Sequence, residues 1–172
     1  MKARYIQAMD RLNRVCLVVA GACLVIITLI IPWGVFTRYV LNSASSWPEP
    51  MAVLLMIVLS FLSAVVCYRE YLHIGVGIVP AMLTGAPKMI LGWLIEVCML
   101  GTNLFMLWYG LKLVRATWFQ SIAEFPLLSV GVTYLPVPIG GAITMLFVIE
   151  RLLTQKFFNE PSAEAVSAIS TE

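Results

Sequence analysis

The stretch "VCLVVAGACLVIITLIIPWGVFT", residues 15–37, holds no charged side chain and stands between Arg14 and Arg38. A bilayer core of roughly 30 Å needs about 20 mainly apolar residues per helix, so this run is long enough to cross one. A cleaved signal would show a shorter apolar region, about 7–15 residues, closed by a small-x-small site. This run continues into "WGVFTRY" and reads as a retained span.

Working outward from it, three more runs of that kind appear. Residues 47–68 are charge-free from residue 50 and end at Arg69, residues 89–111 lie between Lys88 and Lys112 with the single charge Glu96, and residues 133–153 are charge-free up to Ile149. The chain is 61% hydrophobic and 12% charged, with a mean hydropathy of +0.95. A soluble domain of this length needs a mixed charged surface, so the solvent around this one is lipid. Backbone groups in lipid must be satisfied within their own segment, which makes each run a helix. The expected fold class is an all-α integral membrane protein with four transmembrane helices, spanning about 15–37, 47–68, 89–111 and 133–153 in one domain of residues 1–158. The tail 159–172, small and polar, reads as a disordered cytoplasmic end.

Orientation follows the basic residues. With the N-terminus inside, Lys2, Arg4, Arg11, Arg14, Arg69, Lys88, Arg151 and Lys156 fall on the inner side, against Arg38, Lys112 and Arg115 outside. Both termini are therefore expected in the cytoplasm. Trp33, Tyr39, Trp47, Trp108, Trp118 and Tyr134 then gather at the outer ends, as an interfacial belt does. The segment "HIGVGIVPAMLTGAPKM" after the second span is broken by Pro80, Gly85 and Pro87 yet largely apolar. It is expected to lie along the inner interface as a short amphipathic element.

Several chemistries lack their residues. Cys16, Cys23, Cys67 and Cys98 all sit in or at the end of apolar runs without a C-x-x-C pair, so they read as small packing residues rather than a thiol–disulfide centre. His73 is the single histidine. A bis-histidine haem needs two, and zinc needs three or four ligands at close spacing, so no cofactor or metal is expected. No nucleophile stands with a base and no glycine-rich phosphate loop occurs, so the chain does not read as an enzyme, and nothing suggests a nucleic-acid partner.

Glu96 is the one buried ionisable candidate, about seven residues past the inner end of the third span. A charge near mid-bilayer costs at least about 2.5–3.5 kcal/mol, so it should face protein, as a polar contact to a neighbouring helix or, alternatively, as a proton or cation site. Small residues on the second span, Ser60 with Ala64 and Ser63 with Cys67, are spaced for close helix packing.

Three short elements in order carry a resemblance. "SSWPEP", with Trp47 and Glu49, opens the second span; "YREYLHIGV", with Arg69 and His73, closes it; "TYLPVPIGG", with Tyr134, Pro138 and Gly140, opens the fourth. This set, over roughly residues 10 to 155, resembles the small integral-membrane (DctQ-type, or Q) subunit of TRAP transporters. Two positions depart from that pattern: Pro50 replaces the second glutamate of the W-x-E-E motif, and Gly77 an aspartate after His-Ile. The resemblance implies a sodium-coupled, multi-pass uptake system for an organic anion in the bacterial inner membrane. Its partners would be a large membrane subunit, a periplasmic substrate-binding protein and membrane lipid. The chain would serve as scaffold for the large subunit. Glu49, Lys112, Arg115 and Glu124 are then candidate contacts for the binding protein, and the other reading is a structural or assembly membrane protein with no transport role.

Overall fold

The first and third apolar runs extend in the structure into helices longer than the runs themselves, the second matches its helix in length, and the fourth is divided between two helices. The computed structural model describes residues 2–43, 45–70, 85–123, 125–126 and 128–154. Residues 73–84 of the expected interfacial segment, His73 among them, with Glu124 and the C-terminal tail, lie outside those residues, whereas residues 86–89 of that segment open a membrane helix. Helix α1 spans Lys2–Tyr39, α2 Pro48–Arg69, α3 Ala86–Thr117, α4 Val130–Tyr134 and α5 Pro136–Thr154. Four segments are long and apolar enough to cross a membrane, the fourth being α4 and α5 together. With 38 residues at 1.5 Å each, α1 measures about 57 Å, far more than the bilayer core requires.

The packing stripes invert the soluble pattern. Along α1 the residues Met9, Asn13, Cys16, Ala20, Cys23 and Ile27 are buried in steps of three and four, with Thr37 buried further on, while Leu17, Val18, Leu24 and Val25 are exposed. Apart from Met9 and Ile27, these inward residues are small or polar, and these outward ones are large and aliphatic. That is the expected sorting where lipid is as apolar as leucine and close approach, rather than burial from water, drives association. On α3 the inward stripe is Gly92, Glu96, Asn103, Gly110 and Val114.

Helix α1 packs along α2, α3 along α5, and α2 meets α5, so the neighbour order is α1, α2, α5, α3. Where α3 meets α5, glycines let the two helices approach closely. A Cβ built on Gly141 would stand 3.2 Å from the Asn103 carbonyl oxygen, and one on Gly110 3.0 Å from Pro138 Cδ. The close packing expected at Ser60 and Ala64 is not where the helices meet, because both of these residues are exposed. Their spacing is common in any span, whereas Gly140 and Gly141 sit where α2 and α3 converge on α5.

Past the end of α3, residues 120–122 are bonded to residues 128–130. Val130 N donates to the Gln120 carbonyl at 2.8 Å and Ile122 N to that of Leu128 at 3.1 Å. Ser129 caps α4, its Oγ accepting from Gly131 N at 3.0 Å while donating to the Trp118 carbonyl. Pro136 and Pro138 fall in the first turn of α5, where no intrahelical N–H is needed and a fixed φ is helpful.

Candidate functional site

Two adjacent residue pairs, Tyr68–Arg69 at the end of α2 and Glu150–Arg151 near the end of α5, interlock. Adjacent positions on a helix point about 100° apart, so each pair reaches two different neighbours. Arg69 donates through Nη2 to Asp10 Oδ1 of α1 at 2.7 Å and to Glu150 Oε1 at 3.0 Å, and through Nε to Glu150 Oε2 at 3.2 Å. Arg151 donates through Nη1 to Glu96 Oε1 of α3 at 3.2 Å and through Nη2 to the Tyr68 carbonyl. The Tyr68 hydroxyl in turn donates to Glu96 Oε2. Both guanidinium groups also lie over rings, Arg69 5.1 Å from the Phe147 centroid and Arg151 4.1 Å from that of Tyr68. Flat, delocalised arginine suits this combined stacking and forked donation better than lysine would.

The result is a clamp of four membrane helices at one end of the bundle. Glu96 is 1% exposed, and its carboxylate is met by a phenol and a guanidinium. The side chains of Arg69, Glu150 and Arg151 keep 16%, 13% and 12% of their surface. Removing two charges from water costs nearly as much as their attraction returns, so such a pair specifies an arrangement more than it adds stability. At the edge of the clamp Tyr5 Oη donates to the Leu146 carbonyl at 2.9 Å, and Asn13 Nδ2 to Glu70 Oε1 at 2.7 Å.

The depth of Glu96 changes in this light. Counted along α3 from Lys88 it lies about 10 Å in, but the residues that hold it are in the last turns of α2 and α5. Helix α3 starts ten residues before that level, so about 15 Å of it precedes the contact, carrying exposed Met89, Ile90, Trp93 and Leu94. Arg69 is likewise held by carboxylates rather than standing free at a headgroup.

Among the remaining residues singled out in the sequence, Pro138 and Gly140 are buried, Pro138 against Gly110 and Gly140 against Phe61 and Val65. They are packing positions. Trp47 precedes α2, Glu49 is in its first turn, and Tyr134 closes α4. Glu49, Lys112 and Arg115 are exposed at the end opposite the clamp, with Lys112 Nζ 5.5 Å from the Trp108 ring and 5.4 Å from that of Tyr109. Reading the sequence missed Asp10, Asn13, Tyr68, Glu70, Glu150 and Arg151 as one assembly. A usable signal was present: acids and arginines stand side by side at the ends of otherwise charge-free runs, where a positive-inside tally registers the arginines alone.

Among the described residues no group of three or more His, Cys, Asp or Glu could hold a metal ion. The four cysteines are free.

Comparison with known proteins gives two findings. The family model "Tripartite ATP-independent periplasmic transporters, DctQ component" matches residues 24–156. A Haemophilus influenzae protein described as a TRAP transporter small permease protein is 26% identical over 153 residues, covering 86% of this chain and 91% of its own length. The matched span takes in all of α2 to α5 and the second half of α1, including every clamp residue except those before position 24. With most of its length matched, the chain belongs to the DctQ family and is a small permease subunit of a TRAP transporter.

Proposed function

We propose that this subunit is the scaffold of a sodium-coupled uptake system for an organic anion in the bacterial inner membrane, holding the large permease without carrying solute itself. The observation behind this reading is where the buried polar side chains go. Away from the clamp, the buried Thr37, Asn103 and Thr144 each donate to a carbonyl of their own helix, at 2.9, 2.7 and 2.9 Å. A path for a carboxylate and an ion needs several polar groups converging from different elements near mid-membrane. Here the convergent groups sit together at one end and are already engaged with one another. The outward faces of α1 and α3, apolar and aromatic, suit contact with lipid or with another membrane protein.

In this orientation both termini and the clamp face the cytoplasm, following the excess of basic residues there. Glu49, Lys112, Arg115 and Glu124 then face the periplasm, where exposed charge sets the register of a docking protein.

A tagged chain purified from its native membranes in mild detergent should bring down a large permease in stoichiometric amount, identified by mass spectrometry. Reconstituted with that permease and the binding protein, it should be required for sodium-dependent uptake. Reversals such as Lys112→Glu and Arg115→Glu should lower uptake several-fold while leaving the membrane complex intact. Purification of the chain alone, or full uptake by the permease without it, would dismiss the scaffold role.

A further inference from the structure

The clamp contains an imbalance. Asp10, Glu70, Glu96 and Glu150 supply four carboxylates and Arg69 and Arg151 two guanidinium groups. Arg69 serves Asp10 and Glu150, Arg151 serves Glu96, and among the described residues Glu70 is met by the Asn13 amide alone. Asn13 itself is 8% exposed, and its Oδ1 is closed off from water and accepts no hydrogen bond. A buried acceptor without a donor is costly, and the carboxylate beside it, exposed and without a cation among the described residues, is open to a partner.

Resting on the scaffold reading above, we propose that Asn13 and Glu70 form a receptor for a cationic side chain, an arginine or lysine, presented by the large permease subunit. Both open groups are acceptors, so their complement is a group made only of donors, which among side chains means a guanidinium or an ammonium. A guanidinium fork spans a carboxylate and a neighbouring amide oxygen at once. Taking the cation requires the Asn13 amide to turn about its Cβ–Cγ bond, exchanging its bond to the exposed Glu70 for contact of both groups with the newcomer. Low dielectric around the helix ends strengthens the pairing. The position favours a membrane partner, because the exposed apolar residues of α1, Val15, Leu17, Val18 and Val19, follow Asn13 within the next two turns. An inorganic ion is less suited, since the nearby Asp10 carboxylate is already held by Arg69.

Two variants test this, Asn13→Leu and Glu70→Gln, each measured for recovery of the large subunit from native membranes and for the melting midpoint of the full chain alone in detergent. Recovery should fall about tenfold or more for either. The midpoint of Asn13→Leu should not fall, because leucine removes a buried unpaired acceptor, and the one bond lost with it is to Glu70, which is exposed and can turn to water instead. Wild-type recovery in both variants overturns the receptor, and so does loss of recovery together with a lowered midpoint, which would make Asn13 an internal strut. Wild-type complex that survives in sodium-free buffer and after exchange into lipid without ethanolamine headgroups agrees with a side chain. Loss of it in either condition assigns the site to an ion or a lipid amine instead. Should wild-type chain recover no large subunit at all, the scaffold reading fails, an outcome distinct from these.

Discussion

Replacing Arg151 with alanine is expected to destabilise the folded chain by about 3–5 kcal/mol, because it strands the Glu96 carboxylate, 1% exposed, without its cation. The Tyr68 carbonyl loses a donor and the Tyr68 ring its stacked guanidinium in the same step. Adding Glu96→Gln to that variant removes the uncompensated charge while keeping an oxygen for the Tyr68 hydroxyl, so the double variant should recover more than half of the loss. The order matters more than the size: Arg151→Ala alone should be the worst of the set, worse than Glu96→Gln alone. Unfolding of the full chain in mixed micelles, followed as a double-mutant cycle, measures it. An unchanged midpoint for Arg151→Ala, or a double variant no better than the single, would mean that the clamp does not hold α3 to α5.

The second large effect belongs to the other end of that same helix pair. Gly110→Val places a Cβ 3.0 Å from Pro138 Cδ, 3.2 Å from its nitrogen and 3.3 Å from its Cβ. A proline ring in the first turn of a helix has little freedom to yield, so α3 and α5 must part, at a cost of about 1–3 kcal/mol. Gly101 on the same helix offers the control. Nothing lies within 4 Å of a Cβ built there, and Gly101→Ala should be neutral or stabilise by up to about 1 kcal/mol, as removal of a mid-helix glycine does. Heat-resistance profiles by fluorescence-detected gel filtration distinguish the two. Equal behaviour of both variants would overturn the assignment of Gly110 to the α3–α5 contact.

What could be read from the residues alone follows from what each signal measures. Runs without charge register lipid directly, so the existence of four spans was legible, and the short motifs around Trp47, Arg69 and Tyr134 sufficed to suggest the family. Helix ends were less so. Helix α1 begins at Lys2 and α3 continues to Thr117, because polar residues such as Asp10, Asn13 and Arg115 extend a helix past the apolar core without any break in backbone pairing. The clamp was hidden for another reason. Glu96 was visible as an isolated charge, but its partners Tyr68 and Arg151 are 28 and 55 residues away, and an aromatic or arginine at a helix end equally suits a headgroup. Periodicity gave no help in finding the inward stripes. When every position of α1 between Val15 and Thr37 is apolar or small, the face that meets protein differs in size rather than in hydropathy, as Cys16, Ala20 and Cys23 against Leu17 and Leu24 illustrate.

The interlocked pairs at the ends of α2 and α5 have a consequence for how such a chain can change over generations. Tyr68 reaches α3 and Arg69 reaches α1 and α5, so the rotation of α2 about its own axis is keyed at its last turn. Insertion or loss of one residue between Pro48 and Val66 would leave a run just as apolar and still long enough to cross, yet would turn the key by about 100° and move it along by 1.5 Å relative to the rest of α2. Substitutions among leucine, valine and methionine on that face should be accepted freely. Changes in length should be refused, which makes the spacing from Trp47 to Arg69 a stricter inheritance than the residues that fill it.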